Sequence, residues 1–395
     1  MRPGSPGFVG ARLCEAREAR GLTPASLGRL LGTTRQLVGQ YESGRTTPGP
    51  ALAQEIALIL NMPLSFFWLP PAESEQSPIF YRSLAATARA ERTTGQRRLG
   101  WLKRIVLYLQ EFVDLPDVNF PELDVPRTPT SLTLETIDSM ALQVRRYWQL
   151  ALGPISNVLW LIENQGAVVA RAALQAETLD GLSGWLSGEH RPYVFLGADK
   201  GVAVRSRFDV AHELGHLILH RYIPKDIFED EAYHALCEKQ ANIFASAFLL
   251  PAETFAQDLR TPTIDGMRLL KRKWGVAISA MITRASTIGL ISQDEAVVMH
   301  KSIRRRGWHR GEPLDDEIRP EEPRVLARSL ALIVEGGLKT PADIQQALCL
   351  HPSDIIQLCN LDADYFTDAQ PSVRLVHGGM KIVHDDTRHE QREGA

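Results

Sequence analysis

Apolar and polar positions alternate along this chain mostly with a helical period, broken by clear punctuation. From residue 8 to about residue 69 the pattern predicts short helices. The first runs from about Gly10 to Arg20 and stops before Gly21, a glycine placed for a left-handed helix end. Thr23-Pro24 supplies an N-cap followed by proline at the first helical position. The second helix turns Leu27, Leu30 and Leu31 toward a core, and Gly32 makes the turn. The third starts at Thr33 or Thr34, runs through Arg35 to Glu42 and ends by Gly44. Pro50 opens a fourth, which Asn61 closes.

Residues 70–78 shift to Pro, Ser and Glu and read as a linker. Phe80-Tyr81-Arg82-Ser83-Leu84 and a helix at about 96–113 follow, with Leu99, Leu102, Val106, Leu109 and Val113 on one face. Residues 115–129 contain four prolines and read as a second connector. Beyond it a helix is expected over 134–148, short strands at 158–162 and 167–170 about Gly166, and another strand at 193–196. Residues 267–290 read as helical, as do 326–336 and 341–350. From about Pro371 the chain is short, polar and terminal and reads as unordered, with His377 and His384 solvated.

The chemistry concentrates in one helical stretch, Arg207-Phe-Asp-Val-Ala-His212-Glu213-Leu-Gly-His216-Leu-Ile-Leu-His220. Four residues apart on a helix, His212 and His216 stack one turn above the other on one face. Neutral imidazoles at that spacing can grip one Zn²⁺ at about 2.0–2.1 Å each. Glu213 projects from a neighbouring face, where it can reach the metal's water without being a ligand. Gly215 costs about 1 kcal/mol relative to Ala in mid-helix, which predicts close approach by another backbone. His220 reads as a helix-end histidine near the carbonyl dipoles rather than as a ligand.

A hydrolytic zinc needs a third protein ligand. Glu238 is the best donor, in a stretch that reads as a helix ended by Pro251. Glu238, Asn242 and Ala245 share a face, Ala241 and Ala245 permit close packing, and Asn242 can hydrogen-bond a ligand.

These two segments resemble the ImmA/IrrE group of bacterial metallopeptidases. The group's pattern is an R-F-x-x-A-H-E-L-G-H helix, then an E-x-x-A-[ND]-x-F-A helix ending near L-L-x-P; here those are residues 207–216 and 238–251. The stretch Arg304-Arg-Arg-Gly-Trp308 with Glu312-Pro313 resembles the tail of longer members; on its own it reads as a solvated charged loop. The resemblance implies a zinc-dependent endopeptidase whose substrate is a regulatory protein, typically a transcriptional repressor. Tyr193, Arg205, Arg207, Tyr222 and Tyr233 lie near the motif, but spacing alone singles out no oxyanion stabiliser.

The N-terminal helices form a helix-turn-helix. The third presents Thr34, Arg35, Gln36 and Gln40, and Arg and Gln are the side chains that read guanine and adenine edges in a major groove. This stretch resembles the Xre/Cro repressor family, with Tyr41-Glu42-Ser43-Gly44-Arg45-x-x-Pro48 as its most specific piece. The family often has Gln after the threonine that caps the second helix; Pro24 stands there instead, so one phosphate contact is missing. A small bundle used for protein contact or dimerisation is the alternative.

Composition adds little. The 395 residues suggest two or three domains, and 44% hydrophobic with 23% charged residues is ordinary for a soluble globular chain. The net charge of −3 says nothing about nucleic acid, but local charge does. Residues 1–69 hold seven Arg and four Glu with no Lys or Asp, and residues 82–104 hold seven Arg or Lys against one Glu. The helix at 96–113 therefore either extends a DNA footprint through phosphate contacts or connects domains with a basic solvated face. Cys14, Cys237, Cys349 and Cys359 form no C-x-x-C pair and fit a reducing cytosol. There is no signal-peptide pattern and no apolar run near the ~18 residues of a membrane span.

The expectation is therefore a mainly α protein with one α+β domain and a cytoplasmic location. A helix-turn-helix bundle (8–69) leads through a linker with a basic helix (70–130) to a zincin-like metallopeptidase domain (131–300). A helical C-terminal region with a disordered tail follows (301–395). The expected partners are double-stranded DNA, bound as a homodimer on an inverted repeat, and a protein substrate or partner regulator; no membrane is expected. The competing reading is a repressor or antitoxin-like protein whose zinc domain senses or binds without cutting.

Overall fold

The computed structural model describes residues 4–72, 77–81, 89–172, 181–186, 188, 190–197 and 203–367, with the backbone of 373–376 and 379–382. Four helices open the chain: α1 (Gly10–Ala19), α2 (Pro24–Leu30), α3 (Arg35–Glu42) and α4 (Pro50–Ile59). Thr23 caps α2 by accepting from Ser26 N–H, and Thr34 caps α3 by accepting from Leu37 N–H. Gly28 lies beneath the turn between them, where a β-carbon would come within 3.1 Å of the Thr33 carbonyl and 3.2 Å of the Arg35 nitrogen. Leu27 and Leu31 are buried as expected, but Leu30 is 54% exposed, because it falls on the outer side of α2.

The linker contributes β1 (Ile79–Tyr81), and α5 (Arg89–Gln110) follows. Leu99, Trp101, Leu102, Ile105, Val106 and Leu109 of α5 are all buried. They join one apolar core with α1, α4 and the helices near the C-terminus. Trp101 donates its indole N–H to Glu15 of α1 at 2.9 Å, and truncating a tryptophan so placed costs about 3–5 kcal/mol. Two arginines of α5 are engaged by protein: Arg97 pairs with Glu18 at 2.8 Å, and Arg98 is buried 3.8 Å from Asp354. Residues 82–84, read with β1 in the sequence, lie outside the described residues.

The second half continues with α6 (Leu134–Tyr147), α7 (Val158–Asn164), β2 (Val168–Ala172), β3 (Gly181–Leu186) and β4 (Arg191–Gly197). The sheet order is β1-β3-β4-β2, with β1 and β4 antiparallel to β3 and β2 parallel to β4. Residues 158–162, which read as a strand in the sequence, are helical. Asn157 caps them by accepting from Trp160 N–H, and the Glu321 carboxylate accepts from Val158 and Leu159 N–H, so a local cap and one distant residue together satisfy the helix start.

Next come α8 (Ala203–Leu219), α9 (Lys225–Phe228), α10 (Glu231–Leu249), α11 (Ala252–Asp258), α12 (Ile264–Trp274), α13 (Ile278–Thr287) and α14 (Gln293–Arg305). The single helix expected over 267–290 is two, broken where Gly275 takes φ 61°. The Trp185 indole donates to the Leu217 carbonyl at 3.0 Å and ties β3 to α8. The chain then passes along the domain. Glu312 accepts from the first N–H groups of α13 and pairs with buried Lys271, and Glu321 pairs with Arg207. The charge run at 304–306 is exposed as expected, at the end of α14, whereas Glu312 beyond it is anchored.

Finally α15 (Val325–Glu335), α16 (Pro341–Leu348) and α17 (Pro352–Cys359) return to the N-terminal bundle. Asp354 of α17 is buried and takes both arms of Arg20 at 2.6 Å each. Two strands, β5 (Val373–Val376) and β6 (Gly379–Ile382), pair antiparallel. His377 and His384 lie outside the described residues. No helix among the described residues is long and apolar enough to cross a membrane.

Candidate metal centre and DNA-reading face

The centre lies where α8 and α10 meet. Gly215 sets how close they come: a β-carbon there would stand 3.1 Å from the Ala241 α-carbon and 3.2 Å from its carbonyl oxygen. That approach turns Glu238 toward the two histidines. Glu238 Oε1 is 3.0 Å from His216 Nε2, and Oε2 is 3.5 Å from His212 Nε2. The two Nε2 atoms are 3.1 Å apart, and the potential ligand atoms of all three residues lie within 4.8 Å of one another. Both histidines are fully buried, and burial pushes His216 down to about 4, so it is neutral at pH 7.

Hydrogen bonding at His212 tests whether a metal fits. Asn242 donates its amide N–H to the Glu238 main-chain carbonyl at 2.8 Å, which turns Oδ1 toward His212 Nδ1 at 3.1 Å. An amide oxygen only accepts, so a neutral His212 carries its proton on Nδ1 and points a lone pair from Nε2 at Glu238. A nitrogen lone pair and a carboxylate repel each other. A divalent cation between them satisfies both, and two imidazole nitrogens bound tetrahedrally at about 2.0–2.1 Å stand about 3.3 Å apart, close to the separation here. The donor set of two nitrogens and a carboxylate suits zinc.

Glu213 is buried on the adjoining face of α8. Its carboxylate lies against the start of β3, where a β-carbon on Gly181 would be 2.8 Å from Oε1. The Phe80 ring stacks on His216 at 5.3 Å and 8°. His220 comes just after α8, as expected, but its ring is fully buried and turned back, with Nδ1 2.9 Å from His216 Nδ1. His234, one turn before Glu238, is 3.9 Å from that carboxylate and donates to the Tyr81 carbonyl at 2.8 Å. The sequence reading passed over His234 and Gln240; their positions four before and two after Glu238 were the signal.

The arginines near the motif are committed elsewhere. Arg207 donates to the carbonyls of Ile155 and Ser156 and to Glu321, and Arg205 to the His309 carbonyl. Tyr222 and Tyr233 are exposed and Tyr193 is buried.

On the N-terminal bundle, Thr34, Arg35 and Gln36 open α3 on an exposed surface, with Gln40 half-buried one turn on. Arg45 is exposed after the helix, and its N–H donates to the Gln40 carbonyl at 3.0 Å. Four of the five thus sit at the cap or within α3, and Arg45 follows its end.

A helix-turn-helix bundle joined to an α+β domain built on an H-E-x-x-H helix defines a two-module protein. Residues 15–67 match the model of a helix-turn-helix family, and residues 162–286 match that of the IrrE N-terminal-like domain family, Peptidase M78. The chain therefore carries an Xre-type helix-turn-helix domain and an ImmA/IrrE-like domain. It is 40% identical over 60 residues to an uncharacterized HTH-type transcriptional regulator of Sinorhizobium medicae (strain WSM419). The same identity over the same length relates it to an uncharacterized HTH-type transcriptional regulator of Rhizobium meliloti (strain 1021). Each match covers 15% of this chain and 43% of the relative, so the chain spans less than half the length of these relatives.

Proposed function

We propose that this protein is a DNA-binding transcriptional regulator whose second module is a zinc-dependent endopeptidase acting on a partner regulatory protein. The observation that supports this best is the convergence of His212, His216 and Glu238, with the Glu213 carboxylate held on the neighbouring face. His212, His216 and Glu238 would hold Zn²⁺, with Asn242 fixing the ring of His212. When bound, the ion supplies a water acidified to a pKa of about 7 and polarises a peptide carbonyl. Glu213 takes the proton of the attacking water and returns it to the leaving amine, a role contributing typically 10²–10⁴-fold in rate. The α3 side chains Arg35, Gln36 and Gln40 would read bases, with Thr34 and Arg45 near the phosphates and two copies binding an inverted repeat.

Glu213→Gln tests the peptidase role, because it leaves the metal ligands in place. Protein N-termini compared between cells carrying wild type and this variant should include cleavage products of a regulator in wild type alone. Identical N-termini, with normal regulation by Glu213→Gln and failure by His212→Ala, would replace the peptidase with a metal-dependent switch. One observation favours that second reading: neither metal-facing histidine has exposed surface, and Phe80 covers His216.

A further inference from the structure

We infer that Gln240 and His220 form a proton-fixing relay that holds His216 in the tautomer able to bind a metal. The relay starts at main-chain carbonyls. Gln240 donates its amide N–H to the Pro129 carbonyl at 2.6 Å and to the Leu132 carbonyl at 3.4 Å. Carbonyls only accept, so this end of the side chain is the NH₂, and Oε1 is the end facing His220 Nε2 at 3.2 Å. Oε1 only accepts in turn, so His220 carries a proton on Nε2. A neutral imidazole has one N–H, and here it is on Nε2, so Nδ1 is bare.

That bare nitrogen is 2.9 Å from His216 Nδ1. Two bare nitrogens at this distance repel, so His216 bears its proton on Nδ1. Its Nε2 lone pair then faces Glu238 Oε1 at 3.0 Å and His212 Nε2 at 3.1 Å. Phe80 stacks on His216 and lies 6.1 Å from His220, which keeps the pair in register. Asn242 does the same service for His212 in one step, whereas His216 is served in two. Gln240 and His220 are thus positioning residues that act through His216.

The inference rests on reading His212, His216 and Glu238 as metal ligands, and its test separates the two. In ¹⁵N-histidine-labelled full-length protein stripped of metal, long-range ¹H–¹⁵N spectra should show His216 as the Nδ1–H form and His220 as the Nε2–H form. His216 found with its proton on Nε2 would overturn the relay whatever the protein does with zinc. Gln240→Leu removes the acceptor and frees His220 to turn its proton toward His216. Zinc affinity by chelator competition should fall about 10–100-fold, and His216 should shift toward Nε2–H while His212 keeps its Nδ1 proton. Unchanged zinc affinity in a folded Gln240→Leu protein would overturn the relay. Should that variant fail to fold, the wild-type spectrum decides alone. Failure of wild type to take up zinc would remove the metal reading and leave the tautomers to be judged from the same spectrum.

Discussion

Gly181→Ala is the most discriminating substitution at the proposed active site. Gly181 begins β3 and packs where the Glu213 side chain ends; an added β-carbon would sit 2.8 Å from Oε1 and 3.4 Å from the Phe195 carbonyl oxygen. The second distance is ordinary contact, so the backbone can stay. The first is shorter than a carbon–oxygen contact by roughly 0.6 Å, taking about 3.4 Å as the close limit. Glu213 Oε1 is the far end of a flexible side chain and is the atom that yields. A general base displaced by a fraction of an ångström loses alignment with the attacking water, and misplacement by about 1 Å can cost 10²-fold. The expected result is a cleavage rate lowered about 10–100-fold with zinc affinity unchanged, since none of the three ligand residues is touched. The assay is turnover of the regulator identified by its new N-terminus, beside zinc content and affinity of the same preparation. Full turnover by Gly181→Ala would refute the placement of Glu213 as base, and loss of zinc would show that β3 supports the metal rather than the carboxylate.

Zinc should copurify near one per chain by mass spectrometry, and His212→Ala or Glu238→Ala should lose most of it; normal zinc in Glu238→Ala would displace Glu238 from the ligand set. Asp354→Ala removes the carboxylate facing buried Arg98 and largely buried Arg20 but leaves them Gln357 and the Leu60 carbonyl, so the cost should fall at or below the about 3–5 kcal/mol of a fully broken buried pair. A urea midpoint within error of wild type would show that Asp354 does not hold α17 to the N-terminal bundle. Burial pushes Glu163 from 4.5 up to about 7, against the helix-start N–H groups of Arg324 and Val325. The folded protein thus keeps a proton that the unfolded chain gives up, a stabilisation present below about 4.5 and lost as pH rises through about 7. Relative to wild type, Glu163→Gln should gain on the order of 3 kcal/mol in unfolding free energy between pH 4 and 8; a flat difference would contradict the raised pKa. Full-length protein should bind duplex DNA with strong salt dependence, and Arg35→Ala or Gln36→Ala should each lose about 1–3 kcal/mol of discrimination between sites. Equal affinity for all sequences before and after these changes would leave a nonspecific module.

By itself the sequence determined the pieces whose physics is local. Caps and turn glycines mark α2 and α3 because a threonine oxygen and a φ above zero act within a few residues. The i, i+4 spacing of His212 and His216 stacks them on one face by helix geometry alone, and the small residues at 215 and 241 announce close packing. The tertiary structure decided whatever depends on residues far apart in the chain. An apolar run at 158–162 suits either a strand or a buried helix; Asn157 caps it locally, and Glu321, some 160 residues on, takes two more N–H groups of the helix start. Arg97 and Arg98 of α5 read equally as DNA contacts or solvated charge, and only the fold brings Glu18 and Asp354 to them. His220 looked like a helix end because its partner Gln240 lies on another helix. Spacing can place a donor on a face, but which lone pair a buried ring presents is set by the carbonyls packed behind it, and only the folded chain brings those together.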